Sequence, residues 1–252
     1  MTDWRNDTEP ERFFGEHEAE RYDVSSGEEF DAAVIASTVD FLAGLAGGGR
    51  ALELGIGTGR IALPLAARGV PVHGIDLSRA MVERLRAKPG GDEIDVTIGD
   101  FSTTRVEGSF SLAYIVFNTI ENLTTQAAQV ACFANVARHL APGGRFVIEV
   151  GIPDLRRLPP GENAVVFDVS DDHWGIDEYD VANQGLISHH FTRVGDRIEY
   201  SSGPFRYLWP SELDLMAQIA GLELAERWSG WHREPFTNES RKHISVWGKP
   251  RS

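Results

Sequence analysis

Residues 50–150 alternate strictly between short apolar runs and segments of helical periodicity, and this alternation restricts the fold more than any other feature. Short apolar runs bounded by turn residues predict buried strands, whereas apolar residues recurring every three or four positions predict helices. Strands that alternate with helices form a parallel sheet with helices on both faces. The sequence therefore predicts an α/β fold with a doubly wound, Rossmann-like, mostly parallel sheet.

The elements of this region can be placed from their turn residues. Strands are expected at residues 51–54, 70–75, 94–98, 110–117 and 145–150, and helices at 61–67, 78–88 and 125–140. Ser78 is suited to cap the second of these helices, and the APGG stretch is expected to end the third. Pro64 removes a backbone donor from the first helix, so that helix either starts later than residue 61 or is kinked.

The pattern changes after residue 150. Residues 165–169, 185–194 and 197–202 are strand-like with no helix between them, which predicts an antiparallel insertion. A helix opening at Ser211 and two late strands, at residues 222–228 and 243–247, complete a sheet of seven strands. The acidic run DDHWGIDEYD, residues 171–180, is interpreted as solvated surface.

We expect one domain of four parts. They are an N-terminal helical cap, a ligand-binding core, the antiparallel insertion as a lid, and a final helix with two strands, at residues 1–49, 50–150, 153–210 and 211–252.

Composition excludes several classes of protein. The net charge of −14, from 24 Lys and Arg against 38 Asp and Glu, would repel a phosphate backbone, so nucleic acid is not an expected partner. The longest apolar run, residues 112–117, is far shorter than the roughly 20 residues of a membrane span, so no membrane partner is expected. No secretory signal is visible at the start, which favours a cytoplasmic location. The single cysteine, Cys132, and the scattered histidines predict neither a disulfide nor a metal site.

The most informative segment is ELGIGTG, where a strand ends and a helix begins. Glycines here let the backbone approach a ligand beside a helix N-terminus. A dinucleotide turn has the pattern GxGxxG; Gly55 and Gly57 fit it, but Arg60 occupies the sixth position and the third glycine is Gly59. The carboxylate of Glu53 has no use beside a pyrophosphate but is tolerable beside an ammonium and a sulfonium. The turn thus favours a cationic ligand.

Five motifs in this region resemble, in the right order, those of the class I S-adenosylmethionine-dependent methyltransferases. They are ELGIGTG, GIDLS, GDF, FNTIENL and PGGRFVIEV. The resemblance covers about the middle two fifths of the chain and implies S-adenosyl-L-methionine as cofactor. It also implies that the strand ends carrying these motifs meet at one edge of the sheet, where ligands bind in open α/β folds.

The resemblance implies roles for individual residues. The turn backbone would lie along the methionine part of the cofactor, with Glu53 nearby. Asp76 would accept hydrogen bonds from both ribose hydroxyls, and Leu77 would pack on the adenine. The turn residues are Gly55, Ile56, Gly57, Thr58 and Gly59.

Further cofactor contacts follow from the later motifs and from the N-terminal region. Asp100 would take the exocyclic amine of adenine, with the backbone of Phe101 beside the ring. Phe117 and Asn118 end the fourth strand at the same edge. Tyr22, in the stretch ERYD, resembles a lid tyrosine that small-molecule members fold over the cofactor.

The acceptor is less well defined by the sequence. FNTI lacks the prolines and tyrosine of enzymes that methylate DNA bases, and the insertion resembles in placement that of bacterial sugar-amine and glycine-type N-methyltransferases. His189 and His190 point to opposite faces of their strand, and His190 is the candidate catalytic base. Aromatic residues are expected to form a wall for a small substrate, namely Trp174, Tyr179, Phe205, Tyr207, Trp209, Trp228 and Trp231.

The expected function is methyl transfer by in-line displacement to a nitrogen or oxygen of a small-molecule acceptor. Nitrogen is slightly preferred, because a neutral amine needs no base in the transfer itself whereas a hydroxyl usually does. Two other hypotheses stay open: a cofactor-binding protein without transfer activity, and an NAD(P)-dependent oxidoreductase. The oligomeric state does not follow from the sequence.

Overall fold

The computed structural model describes Gly15, Glu16, Ala19, Tyr22, Asp23 and residues 30–251, so about half of the predicted cap at residues 1–49 lies outside the described residues. Its helices are α1 Ala32–Ala46, α2 Ala62–Ala67, α3 Arg79–Arg86, α4 Gln126–His139 and α5 Pro210–Ile219. Its strands are β1 Ala51–Leu54, β2 Val72–Asp76, β3 Asp95–Ile98, β4 Phe110–Ile115, β5 Leu140–Gly151, β6 Ala164–Val169, β7 His173–Asp180, β8 Gly185–Val194, β9 Arg197–Arg206, β10 Glu223–Trp228 and β11 Lys242–Gly248.

The larger sheet has seven strands in the order β10-β11-β5-β4-β1-β2-β3. Strand β11 runs antiparallel to both of its neighbours, and the pairs from β5 to β3 are parallel. The predicted doubly wound, mostly parallel sheet is therefore confirmed. The chain reverses its direction of progress across the sheet between β1 and β4, and ligands of open α/β sheets bind at such a switch point.

Helices on both faces bury the sheet between two apolar layers. One layer gathers Phe133, Phe146 and Trp247, the other Leu42, Leu65 and Ile244, and all six side chains are buried. Cys132 is fully buried on α4, as expected of a small core residue. Burial of this kind is the main favourable term in folding and holds the strand ends in place.

Local signals explain several helix boundaries. Asp31 caps the start of α1 by accepting from the N–H of Ala33, and Gly47, with φ +57°, ends the helix in the left-handed conformation. Ser78 caps α3 as predicted, at 3.2 Å from the N–H of Met81. Helix α2 begins at Ala62, which places Pro64 in the first turn, where backbone N–H groups have no partner within the helix. Pro64 is therefore accommodated by the later start of α2 and not by a kink.

Two predictions made around α4 and the acidic run need correction. Helix α4 ends at His139, next to APGG as predicted, but β5 starts at Leu140 and not at residue 145, and Leu140 pairs with Phe110 before the register shifts. The acidic run is not merely solvated surface, because β7 occupies most of it and pairs with both β6 and β8. Cross-strand pairing satisfies its backbone on both sides, and this outweighs the low strand propensity of Asp and Glu.

The insertion is a separate four-stranded sheet in the order β6-β7-β8-β9, antiparallel throughout, which confirms the predicted antiparallel insertion after the fifth strand. Strand β9 packs against the short turn Thr119–Asn122 that follows β4. The insertion therefore reaches the carboxyl edge of the larger sheet. None of the helices within the described ranges has the length and hydrophobicity that a membrane crossing requires.

Candidate active site

The glycine turn wraps closely around the end of β2. The N–H of Gly55 donates to the carbonyl of Ile75 at 2.8 Å, and the N–H of Gly57 donates to Oδ2 of Asp76 at 2.7 Å. Gly55, Gly57 and Gly59 have φ of +77°, +54° and +79°, values that other residues rarely adopt. A Cβ at Gly57 would meet nothing within 4 Å. Gly57 therefore leaves open space beside the backbone, as a turn that cradles a ligand requires.

Asp76 connects the turn to the start of α3. Its Oδ1 accepts from the N–H of Ser78 at 2.8 Å, while Oδ2 accepts from Gly57. Burial raises the pKa of Asp76, and the backbone hydrogen bonds from Gly57 and Ser78 act against that rise. Each carboxylate oxygen keeps a second lone pair, so two adjacent hydroxyls can still bind there. The predicted ribose contact is compatible with this geometry.

Glu53 lies beneath the turn, in the middle of the sheet, with only 3% of its surface exposed. Its Oε2 accepts a hydrogen bond of 2.8 Å from the hydroxyl of Tyr114 on β4. Burial raises the pKa of Glu53 from 4.5 to about 8, opposed by the Tyr114 hydrogen bond and the charge of Arg60. The sequence suggested a carboxylate beside the ligand; the structure buries this carboxyl group under the turn, where burial favours its protonated form.

The residues expected to contact adenine follow two neighbouring strands. Leu77 comes after β2, and Asp100 and Phe101 come after β3. Asp100 is exposed, and its Oδ1 accepts from the N–H of Ser102 at 2.7 Å. Phe101 is buried, and its carbonyl accepts from Nδ2 of Asn135 at 3.0 Å. Leu77 has an apolar side chain that is 36% exposed. An exposed carboxylate and an exposed apolar side chain are both available to a purine, and the assignment stays a prediction.

Phe117 and Asn118 both adopt the left-handed conformation, with φ of +54° and +56°. Such values are uncommon for residues other than glycine and mark functional sites when the surroundings hold them. Here Glu149 accepts from the N–H of Phe117 at 3.1 Å, and Oδ1 of Asn118 accepts from the N–H of Gly151 at 2.7 Å. The end of β5 thus fixes the chain where it leaves β4.

A cavity of about 190 Å³ opens beside Phe117. It lies between α1, the residues after the glycine turn, the ends of β4 and β5, and the start of β11. Trp231 lines it, and within the described part of the chain the buried indole N–H of Trp231 has no hydrogen-bond partner. Further lining residues are Val34, Thr38, Arg60, Val116, Asn118 and Lys242.

The predicted aromatic wall is not one surface. Trp231 lines the cavity, whereas Tyr179 and Tyr207 pack against each other with ring centroids 5.6 Å apart. Trp174 instead lies under the guanidinium of Arg193. The expectation of a single wall was wrong because alternate residues of the insertion strands face opposite sides.

The N-terminal segment reaches the glycine turn through Asp23. Its Oδ1 accepts from the hydroxyl of Thr58 at 2.6 Å, and its Oδ2 lies 2.7 Å from Nζ of Lys88. The ring of the preceding Tyr22 packs edge-on against Phe30, with centroids 5.5 Å apart. Sequence reasoning singled out Tyr22 but missed Asp23, although the ERYD stretch contains both. The lid role of Tyr22 stays a prediction, and the structure puts Asp23 in contact with the glycine turn.

His189 and His190 point to opposite faces of β8, as predicted. Nδ1 of His189 contacts the hydroxyl of Tyr200, whereas His190 contacts His173 and Ser188. Burial lowers the pKa of His190, and the charges of His173 and His189 lower it further. His190 is not among the residues that line the cavity, and its catalytic role stays a prediction.

Two carboxyl groups that the sequence did not indicate approach the same edge. Glu121 lies in the turn Thr119–Asn122, and Asp177 lies on β7. Burial raises the pKa of Glu121 to about 8, and the charge of Asp177 adds to that rise. Burial also raises the pKa of Asp177, opposed by a hydrogen bond from Ser188. The signal that would have found Asp177 is the strand β7 within the acidic run.

Comparisons with known proteins identify the family. The model of a methyltransferase domain matches residues 51–144. The CcbJ methyltransferase of Streptomyces caelestis is 34% identical, with a TM-score of 0.85 over 94% of this chain and 98% of its own. The chain belongs to the class I S-adenosylmethionine-dependent methyltransferases. Its cofactor is S-adenosyl-L-methionine.

Two further relatives of this methyltransferase cover most of the chain. The cypemycin N-terminal methyltransferase of a Streptomyces species is 27% identical over 77% of this chain and 81% of its own. S-adenosylmethionine-bound CalS10, an amino pentose methyltransferase from Micromonospora echinaspora, has a TM-score of 0.66 at 23% identity, covering 94% of this chain and 98% of its own. Relatives that match most of the chain include both N- and O-methyltransferases, so they do not fix the acceptor atom.

The residues of the methyltransferase fit its cofactor. The space beside Gly57 and the partly buried carboxylate of Asp76 suit the amino acid and ribose parts. When bound there, S-adenosylmethionine supplies an electrophilic methyl group on a sulfonium. Across the described ranges, no group of three or more His, Cys, Asp or Glu residues is arranged to hold a metal ion.

Proposed function

We propose that this methyltransferase methylates an amine nitrogen of a small-molecule acceptor. The observation that carries the proposal is the pair of carboxyl groups of Glu121 and Asp177, whose charges interact where strand β9 of the insertion packs against the turn Thr119–Asn122.

The pair lies next to the glycine turn. Thr119, two residues before Glu121, packs against Gly55 so closely that a Cβ on Gly55 would collide with its methyl group. Burial raises the pKa of Tyr179, on the same face of β7 as Asp177, to about 12, and the charges of Asp177 and Glu121 add to that rise. Glu121 therefore lies two residues from a side chain that packs on the glycine turn, and Asp177 interacts with Glu121 through its charge.

The chemistry of the pair suits an amine. Burial favours the protonated form of the pair, whereas an approaching ammonium group favours its ionised form, which then orients the nitrogen by charge-assisted hydrogen bonds. An amine must lose its proton before it attacks, and a carboxyl group with a pKa of about 8 is a far better proton acceptor than an ordinary glutamate. An aliphatic hydroxyl, with a pKa close to that of water at about 15.7, is much harder to deprotonate by the same group.

The size of the site supports a small acceptor. The cavity beside Phe117 measures about 190 Å³, below the roughly 300–1,000 Å³ typical of drug-sized ligand pockets. The N-terminal methyltransferase among the relatives acts, by its name, on an amine, which agrees with this proposal.

The test uses methyl-labelled S-adenosylmethionine and a bacterial metabolite extract in two forms, untreated and with its amines acetylated by an amine-selective reagent. We expect transfer of label to a component of the untreated extract and none after acetylation. Label that survives acetylation would show an oxygen acceptor instead. A protein that binds S-adenosylhomocysteine, detected by thermal unfolding, but labels no component would support the cofactor-binding hypothesis.

A variant pair tests the observation itself. Glu121→Gln removes one carboxyl group of the pair, whereas Glu83→Gln removes an exposed one from α3. We expect Glu121→Gln to lower kcat/KM for the labelled amine by a factor on the order of 100, within the usual range for loss of an acid–base group. Glu83→Gln should leave it unchanged. Equal effects of the two substitutions would count against the amine site.

A further inference from the structure

A chain of hydrogen-bonded side chains crosses the insertion sheet from Asp177 to its outer strand. The hydroxyl of Ser188, directly across from Asp177 on β8, contacts Asp177. Ser188 Oγ lies 3.2 Å from Nε2 of His190, and Nδ1 of His190 lies 3.0 Å from Nε2 of His173. Nδ1 of His173 lies 2.6 Å from Oδ2 of Asp168 on β6.

The chain links a half-buried end to a more exposed one. Asp177 is half-buried beside Glu121, and Ser188 is 8% exposed. The side chain of His173 is 25% exposed and that of Asp168 is 45% exposed. The five groups therefore connect the carboxyl pair with solvent, through side chains that can each donate and accept a proton.

The donors and acceptors can be assigned in one consistent direction. When Asp177 is protonated, its O–H donates to Ser188, and the Ser188 hydroxyl donates to Nε2 of His190. Nδ1–H of His190 then donates to Nε2 of His173, whose Nδ1–H donates to the carboxylate of Asp168. Both imidazoles are neutral, which agrees with the lowered pKa of His190.

The reverse direction contains the same number of protons. If each proton moves along its own hydrogen bond from Asp177 towards His173, Asp177 becomes a carboxylate that accepts from Ser188. His190 changes from the Nδ1–H to the Nε2–H tautomer, and His173 becomes an imidazolium beside the Asp168 carboxylate. The two directions of the chain thus differ by the transfer of one proton from Asp177 to His173.

We propose that this chain carries the proton released by the acceptor amine from Asp177, through Ser188, His190 and His173, to solvent near Asp168. This inference rests on the proposed function. In methyl transfer the nitrogen lone pair forms the bond to the methyl carbon, the carbon–sulfur bond breaks, and its electron pair stays on sulfur. The proton lost by the nitrogen goes to Asp177, and His173 gives one proton to water.

The surroundings of the chain suit its two ends. The charge of Asp168 stabilises a cation at the outer end. Glu121 beside Asp177 favours the protonated form of Asp177, so Asp177 takes up the proton of the amine readily, and the outward step is driven by the loss of a proton from His173 to solvent. His189, on the opposite face of β8, faces Glu178 and Tyr200 and is not part of the chain.

The first test needs no acceptor. Histidine labelled with ¹⁵N, in the full-length enzyme bound to S-adenosylhomocysteine, reports each imidazole tautomer by NMR as the pH is varied. As the pH rises and one proton leaves the chain at His173, we expect His190 to change from Nδ1–H to Nε2–H in one step without becoming charged. In Asp177→Asn, whose amide does not ionise, and in Ser188→Ala, which interrupts the chain, the tautomer of His190 should not change with pH.

Ser201→Ala is the matched control, because Ser201 pairs with His190 across β8 and β9 but, among the described residues, makes no hydrogen bond to the chain. It should keep the tautomer change. A tautomer change that persists in Ser188→Ala, or a His190 that titrates to imidazolium in the wild type, would overturn the proposal. Since no acceptor is present, this result is independent of whether the acceptor is an amine.

The second test uses the amine identified by label transfer. Ser188→Ala should lower kcat by a factor on the order of ten or more with KM unchanged, within the range of proton-transfer effects, and Ser201→Ala should not. Ser188→Thr restores a hydroxyl and should restore kcat. Wild-type kcat in Ser188→Ala would also overturn the proposal, whatever the NMR result.

Discussion

Tyr114 and Glu53 form a buried pair at the centre of the larger sheet, with the phenol donating a 2.8 Å hydrogen bond to the carboxyl group. Tyr114 on β4 and Glu53 on β1 are register partners, and Glu53 lies two residues before the first glycine of the turn. Burial raises the pKa of Glu53 to about 8 and that of Tyr114 well above its usual value. A carboxyl group whose protonated form is favoured by burial therefore lies beneath the glycine turn.

Binding of S-adenosylmethionine is expected to release a proton from Glu53. A ligand with an ammonium and a sulfonium favours the ionised carboxylate and lowers its pKa from about 8. Calorimetry at pH 7 in two buffers of different ionisation enthalpy measures the number of protons released. Glu53→Gln has no proton to lose and should abolish the release; equal release by both proteins would assign it to another group.

The stability of the protein without cofactor should fall with pH because of Glu53. Its pKa in the folded state, about 8, lies above its ordinary value of 4.5, so the folded state holds more protons between these values. The stabilisation is fully present below pH 4.5 and is lost as the pH rises through 8. Urea unfolding of the wild type and of Glu53→Gln across this range checks it: the wild type should lose stability relative to the variant as pH rises. A constant difference would mean that Glu53 is already ionised at pH 4.5.

Asp76→Ala is expected to weaken the binding of S-adenosylhomocysteine. It removes the hydrogen bonds predicted to the two ribose hydroxyls, each worth about 1.5–3 kcal/mol when charged, and the bond that holds Gly57. Isothermal titration measures the loss. Asp76→Asn, with one remaining carbonyl oxygen, should lie between wild type and Asp76→Ala, and unchanged affinity in both variants would remove Asp76 from the site.

The fold was predictable because its signals are local. The periodicity of residues 50–150 and the caps at Ser78 and around Gly47 act within a few residues, so they are visible in the sequence. Strand β7 was missed because its support comes from neighbouring strands: Asp177 pairs with Val165 and Ser188, whose positions no local pattern gives.

The cofactor turn was predictable for the same reason, whereas the acceptor side was not. ELGIGTG specifies its own conformation, but the approach of Glu121 to Asp177 joins two sheets across 56 positions of sequence, from the start of the turn after β4 to the middle of β7. His190 was singled out from its face of β8, yet its partner His173 lies in the acidic run that was interpreted as surface. A series of hydrogen-bonded side chains of this kind depends on how the strands pair in the folded protein.

Asp23→Asn is expected to speed the release of the cofactor. The substitution removes the 2.7 Å ion pair with Lys88 and weakens the 2.6 Å hydrogen bond with Thr58, which together hold the segment of Tyr22 on the glycine turn. Both side chains of the ion pair are partly exposed, so the effect on global stability should stay below about 1 kcal/mol. Stopped-flow release of S-adenosylhomocysteine should be faster in Asp23→Asn, with Asp40→Asn, which removes the exposed ion pair with Arg68, as control. An unchanged release rate would separate this segment from the lid.

Gly57→Ala separates the ligand space of the turn from its backbone strain. Gly57 and Gly69 both have positive φ, +54° and +83°, and a Cβ on either would meet no atom within 4 Å. Alanine should therefore cost each site a similar strain, roughly 1–2 kcal/mol in unfolding free energy. Only at Gly57 does the new methyl group enter the space proposed for the cofactor. We expect similar urea midpoints for Gly57→Ala and Gly69→Ala, but thermal stabilisation by S-adenosylhomocysteine only in Gly69→Ala. If Gly57→Ala were stabilised as strongly as Gly69→Ala, the cofactor could not lie against this part of the turn.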